Sequence, residues 1–504
     1  MRKNVLVLDY LETTALCQER PDGITDGTGS CSYKMLMDMS RRVGSVLVKE
    51  IKRRQPVGIY MEKGIHALAA FFGTIYAGGF YVMLEPSLPG PRLMQIQSVL
   101  EASVIIADEA SYISAQKTFP ECRVYKIEAL MTMPEDEKAL EMRRRTMLDT
   151  DPLYGIFTSG STGIPKGVVV SHRSVIDFID NFTDIFNIND NDIIGNQAPF
   201  DFDVSVKDIY SALKTGARLV VIPRKLFSNP PGLLDFICEH KITTMIWAVS
   251  ALCLITTFHG LDYKTPKTVN KVMFSGEVMP VKHLKAWMEA LPEAEFVNLY
   301  GPTEITCNCT YHRVQRDRAY DEGLPIGKPF PNKGVFILDE NDQEVTMEGV
   351  TGEICVAGTA LALGYYNAPE QTQKSFTQNP LNPCYPERIY RTGDLGRLDE
   401  EGNIYFCGRK DFQIKYLGHR IELEEIERAI NKLPGIVRCC CVFDEKKSRL
   451  YGFYTGDVSK AELYIMLKEQ LPEFMIPTAL RPVDTIPLTA NGKADRKALA
   501  AYGG

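Results

Sequence analysis

The run Thr158-Ser159-Gly160-Ser161-Thr162-Gly163-Ile164-Pro165-Lys166-Gly167 holds the residue types that grip an anion. Its glycines let the backbone turn amide groups toward negative charge, its hydroxyls add donors, and Lys166 supplies a positive charge. It is not a Walker loop, because Gly167 rather than Ser or Thr follows the lysine. A flexible linker has similar composition, but this run sits between an apolar strand, Tyr154–Phe157, and the segment Val168–Val170. A helix opened by Ser171 follows, with Val175, Ile179, Phe182 and Phe186 on one face. Cysteine and histidine chemistry has less support. The thirteen cysteines include no C-x-x-C pair, and the seven histidines lack metal-ligand spacing. On a strand, Cys439, Cys440 and Cys441 alternate faces and cannot converge on one metal. Cys307 and Cys309 would face the same way on a strand, which suggests a metal, but pocket or core thiols are the expectation. Buried reduced thiols point to a reducing cytoplasm.

The elements that must position the loop are clearest in mid-chain. β-rich runs at 217–223, 243–249, 271–277 and 295–301 recur about 26 residues apart, with helical patterns at 233–240 and 281–291. That alternation predicts βαβ units and a parallel sheet. Ligands of such sheets bind beyond the carboxyl ends of the strands. Gly276-Glu277 and Pro302-Thr303-Glu304 are therefore site candidates by position alone. Near 408–411 the texture changes. A helix over 421–433, strands over 436–443 and 450–454, and a helix over 460–471 predict one small domain.

Composition bounds the function. With 504 residues, 45% apolar and 24% charged, the chain is a globular protein of several domains, not a disordered one. A net charge of −7 argues against a nucleic-acid binder with a broad basic face. No stretch approaches the roughly 18 apolar residues of a membrane helix. The opening residues are too short an apolar run for a secretory signal of about 7–15. The expectation is a cytoplasmic protein with no nucleic-acid partner and no membrane insertion.

The 158–167 run resembles the phosphate loop of the adenylate-forming superfamily, which includes amino-acid adenylation domains, acyl- and aryl-CoA synthetases and luciferases. Further blocks match in family order: Ala77–Val82, Asn298–Glu304, Gly352–Gly358 with Leu363–Tyr365, Tyr390–Leu395, Gly408–Asp411 with Lys415 through Glu422, and Asn491–Arg496. The resemblance implies an α/β fold. A large N-terminal domain (residues 1–409) has parallel-rich sheets flanked by helices, and a small mobile α+β C-terminal domain (410–504) rotates about a hinge at Asp411. It implies ATP and Mg²⁺. Thr158, Ser159, Gly160, Ser161, Thr162, Gly163 and Lys166 would hold the phosphates, and Glu304 the metal. Gly276, Glu277, Asn298 and Tyr300 would wall the adenine, beside Gly301 and Thr303. Asp394 would accept the ribose hydroxyls near Arg409. Lys493 would be catalytic, bridging the carboxylate and the α-phosphate. The reaction needs such charge, because unit like charges about 4 Å apart repel by roughly 4 kcal/mol at an effective dielectric near 20.

Phe202-Asp203-Val204-Ser205 resembles the F-D-x-S of amino-acid adenylation domains, where the aspartate pairs with the substrate ammonium. The implied pocket is Asp203, Val204, Lys207, Ser250, Met273, Ser275, Leu299, Cys307 and Asn308. The expected activity is formation of an aminoacyl-AMP and transfer to the phosphopantetheine thiol of a separate carrier protein, since no carrier module follows Arg496. An acyl- or aryl-CoA ligase of the same superfamily is the alternative. Segments 203–210 and 274–280 look like D-alanine–D-alanyl carrier protein ligases, but Ser275 stands where those have cysteine and Lys207 where they have an apolar residue. Lys207 lies four residues after Asp203, on the same helix face. Three fates are open to it: a substrate side-chain acceptor, a charge shared with Asp203, or a turn outward to solvent beside Asp208.

Overall fold

The computed structural model of the chain describes residues 5–160, 163–445, 447–487 and 494–502. The chain forms two compact units, the first made of residues 1–85, 102–156 and 168–410. The second gathers 86–101, 157–167 and 411–504. The chain therefore leaves the first unit between Lys410 and Asp411. A split into two continuous stretches did not anticipate that the 158–167 loop and the helix Gly90–Leu100 would group with the C-terminal residues.

In the first unit, among the described residues, the largest sheet has nine strands. Its centre is parallel. Ile24–Thr25, Arg218–Val221, Ile193–Asn196, Thr244–Ala248, Lys271–Ser275 and Glu295–Tyr300 lie side by side in that order. The four mid-chain strands fall where the apolar runs predict them, with the helices Pro230–Glu239 and Val281–Ala290 between them. Register fixes the faces. Met273 lies opposite Ile246 and Val297, and all three belong to the main core. Val272, Phe274 and Phe296 point to a second core under Trp247 and Trp287. A seven-stranded sheet includes Pro56–Tyr60, Phe80–Met83 and Val104–Ala107, which run parallel. An antiparallel sheet built on Gly352–Gly358 and Arg388–Leu398 ends with Ile404–Arg409.

The second unit contains the hairpin Gln413–Tyr416 and His419–Glu422, the helix Leu423–Asn431, and the antiparallel strands Ile436–Asp444 and Arg449–Gly456. The helix begins two residues later than predicted, because His419–Glu422 pair as a strand. Helix Lys460–Lys468 opens with a capping box between Ser459 and Glu462. Cys439 and Cys441 pack into one core and Cys440 into another, as strand alternation requires. No helix among the described residues is long and apolar enough to cross a membrane.

Candidate active site

The parallel strands direct their carboxyl ends toward the residues of the expected pocket. After Ile193–Asn196 the chain passes through 197–202 to Asp203, the residue before the helix Val204–Thr215. Gly216, in the left-handed region, closes that helix. Every residue from Val204 to Leu213 is buried, so the helix has no solvent face along this length. Lys207 therefore does not turn out to solvent, which overturns that option: it is 1% exposed. Its Nζ donates to Asn308 Oδ1 at 2.8 Å and to Ser275 Oγ at 3.2 Å. Ser275 ends the strand Lys271–Ser275, and Met273 and Leu299 are buried within neighbouring strands. Val204 is buried, and Ser250 is half-buried on the helix Val249–Thr257.

Cys307 and Cys309 are not on a strand, contrary to expectation, since the next strand starts at Thr310. Thr306 and Cys307 both have positive φ, so the backbone turns there instead of extending. The turn packs so closely on Gly301 that a Cβ there would sit 2.6 Å from Asn308 Cα. The Cys307 thiol donates to the Asp203 carbonyl at 3.2 Å, and burial pushes its pKa well up, so it stays a thiol. Among the described residues no group of three metal-ligating side chains forms.

Around the expected nucleotide residues, charges are paired within the first unit. Asp394 Oδ2 accepts from the Tyr300 hydroxyl at 2.5 Å, and Oδ1 pairs with Arg409. Arg409 also donates to the Thr392 carbonyl at 3.2 Å. Burial first, and then Asp394, raise the Tyr300 pKa, so the phenol remains a donor. Glu304 lies in a short 3₁₀ turn with Thr303; it is buried, and its Oε1 accepts from the Tyr365 hydroxyl at 2.8 Å. The Asn298 amide donates to the Pro325 carbonyl at 2.9 Å. Gly276 and Glu277 follow directly on Ser275, with Gly276 at φ +97°.

In the second unit, Thr158, Ser159, Gly160, Gly163 and Lys166 are placed, whereas Ser161, Thr162 and the catalytic candidate Lys493 lie outside the described residues. The loop is tight: a Cβ on Gly160 would fall 1.9 Å from the Ile164 carbonyl oxygen. Gly160 N donates to Glu425 Oε2 at 3.2 Å, and Arg92 pairs with the other oxygen of that carboxylate. Ser159 Oγ donates to the Arg420 carbonyl at 2.6 Å. The amide expected to face a phosphate thus already faces an anion. The hinge candidate Asp411 starts the unit's last segment, where its Oδ1 accepts from Gln413 N at 3.2 Å.

Sequence reasoning missed Lys63. Its Nζ donates to Gln197 O at 2.8 Å, Asn196 Oδ1 at 2.9 Å, and Asn196 O and Ala198 O at 3.3 Å each. It thereby fixes the segment that leads to Asp203. Between Glu62 and Gly64 it reads as one more surface lysine, and no local signal marks it. Glu425 was missed for the same reason.

Residues 10–366 match the AMP-binding enzyme family and residues 425–493 match the AMP-binding enzyme C-terminal domain. The chain belongs to this family of adenylate-forming ligases. It is 32% identical over 503 residues to bacitracin synthase 1 of Bacillus licheniformis, covering 99% of this chain but only 9% of that one. It is 31% identical to zwittermicin A synthase ZmaJ of Bacillus cereus, covering 94% of this chain and 90% of the other. Among solved structures it resembles holo-PA1221, a nonribosomal peptide synthetase protein containing adenylation and carrier (PCP) domains. That match has a TM-score of 0.85 and 26% identity, over 99% of this chain and 84% of that one.

Proposed function

We propose that the protein uses ATP to activate an amino acid as its adenylate and then loads the aminoacyl group onto the phosphopantetheine thiol of a carrier protein. The observation that carries this reading is Asp203, placed at the start of a buried helix where the carboxyl ends of the parallel strands gather. A carboxylate there suits a substrate ammonium, which needs a counter-charge when desolvated. The likeness to bacitracin synthase 1, and to the solved protein that joins an adenylation domain to a carrier domain, supports it.

In the first half-reaction a substrate carboxylate oxygen attacks the α-phosphorus, the bond to pyrophosphate breaks, and aminoacyl-AMP forms. In the second, the carrier thiol loses its proton and attacks the carbonyl carbon, and AMP leaves. Asp203 holds the ammonium and orients the carboxylate. Tyr300 and Arg409 fix the Asp394 carboxylate for the ribose. The 158–167 loop and Lys166 receive the phosphates, and Lys493 steadies the charge that develops between carboxylate and phosphate. Mg²⁺ fits Glu304, because that ion takes one or two carboxylates and leaves the rest of its shell to phosphate and water. When bound it would neutralise phosphate charge. The cytoplasm is the proposed setting.

Amino-acid-dependent ATP–pyrophosphate exchange tests the reading. Lys493→Ala should lower exchange by about 100-fold or more. Asp203→Ala should raise KM for the amino acid by a factor equivalent to about 3–5 kcal/mol, with KM for ATP little changed. Exchange driven only by carboxylic acids without an amino group, with free CoA as acceptor, would replace this reading with a CoA ligase.

A further inference from the structure

The surroundings of Lys207 define what the pocket accepts. Its two partners, Asn308 Oδ1 and Ser275 Oγ, are neutral oxygens, while an ammonium carries three donors. Asp203 and Asp208 act on Lys207 through space, without a hydrogen bond to it, and burial dominates in lowering its pKa. Asp208 is a poor counter-ion. Its Oδ2 accepts from Asn196 Nδ2 at 2.7 Å, and burial pushes its carboxyl up to about 7. Because Lys207 holds the Asn308 oxygen, the amide nitrogen points away with two further donors. The Ser275 hydroxyl accepts from Lys207 and keeps its own proton to give. Among the described residues neither of these two side chains makes another hydrogen bond.

The result is a buried, lysine-centred cluster in which Lys207, Asn308 and Ser275 each keep a hydrogen to donate. An apolar side chain would leave those donors unsatisfied, and a basic one would add like charge. A hydroxyl or amide would bring donors of its own. A carboxylate alone is both anionic and acceptor-only. Asp203 precedes Lys207 by four residues on the same helix, so one helix face presents a carboxylate and an ammonium that are not joined to each other.

Resting on the reading that these residues line the amino-acid pocket, we propose that the substrate is an amino acid with a carboxylate side chain, of the aspartate or glutamate class. Lys207 is its specificity-determining residue, assisted by Asn308 and Ser275. Asp203 takes the α-ammonium at one end of the helix face, and Lys207 takes the side-chain carboxylate a turn further on.

The test is ATP–pyrophosphate exchange with the full chain over the proteinogenic amino acids and their D-enantiomers, for wild type and Lys207→Met. Aspartate or glutamate should give the fastest exchange, at least tenfold above asparagine and glutamine. Lys207→Met should lower kcat/KM for the acid by about 100-fold and bring the acid-to-amide ratio near one. Fastest wild-type exchange with any other amino acid overturns the proposal and leaves amino-acid activation standing. Exchange with no amino acid overturns the parent reading and this one with it. If Lys207→Met does not fold, the wild-type ranking decides alone.

Discussion

Two lysines lie near the start of the helix Val204–Thr215, Lys63 half-buried and Lys207 buried, and they are treated in opposite ways. Lys63 shares its donors among four oxygens of residues 196–198, three of them backbone carbonyls. Its bonding capacity is used up by its own chain, and it serves to hold the segment in place. Lys207 meets two neutral side-chain oxygens and stops there. The chain completes the first site and leaves the second short of acceptors. A similar contrast separates Lys207 from Arg409, whose guanidinium is paired with Asp394. Burial by itself does not mark a ligand-binding charge. What marks it is burial with an incomplete partner set.

Substitutions at the paired and unpaired charges test this contrast. Asp394→Ala takes the buried carboxylate away from the half-buried Arg409 guanidinium, and should cost about 3 kcal/mol of stability. A urea titration measures it, and a midpoint like that of wild type would show that Arg409 finds another partner. Lys63→Met strips the donor from several part-buried oxygens and should cost about 2 kcal/mol. It should also change the pH profile. Burial, opposed by Asp208, Glu85 and Asp201 and helped by Arg224, holds the Lys63 ammonium near 7 instead of 10.5. Between those values the unfolded chain keeps a proton that the folded protein has shed. Stability therefore rises with pH across that window, by up to about 1.4 kcal/mol per unit from this group. Lys63→Met should flatten the rise, as read by unfolding at pH 7, 8 and 9.

Lys207→Met should have the smallest effect on folding. Removing a buried charge that lacks a counter-ion should leave stability unchanged or raise it by about 1 kcal/mol, even as activity on the acid falls. A loss as large as that of Lys63→Met would erase the distinction between the two lysines.

Much of the architecture was legible because it rests on local periodicity. The strands Thr244–Ala248, Lys271–Ser275 and Glu295–Tyr300 coincide with the apolar runs. Ser171 caps its helix through the Ser174 amide, as its position before an amphipathic run implied. The family blocks named Asp203, Asp394 and Arg409, because their chemistry is tied to short, recognisable sequence contexts. The turn at Thr306–Cys307 was not legible, since two consecutive positive-φ residues without glycine leave no compositional sign.

The sequence by itself determined the family, four mid-chain strands of the central sheet with two of the helices between them, and the placing of Asp203 and Lys207 on one helix face. It left open whether that face met solvent, another charge or a ligand. Only the tertiary structure excluded solvent, because the partners that bury Lys207 lie 68 and 101 residues along the chain. Helix periodicity is set by neighbours three and four residues away. The burial of a charge, and the number of acceptors that reach it, are set by strands that come together only when the sheet has formed.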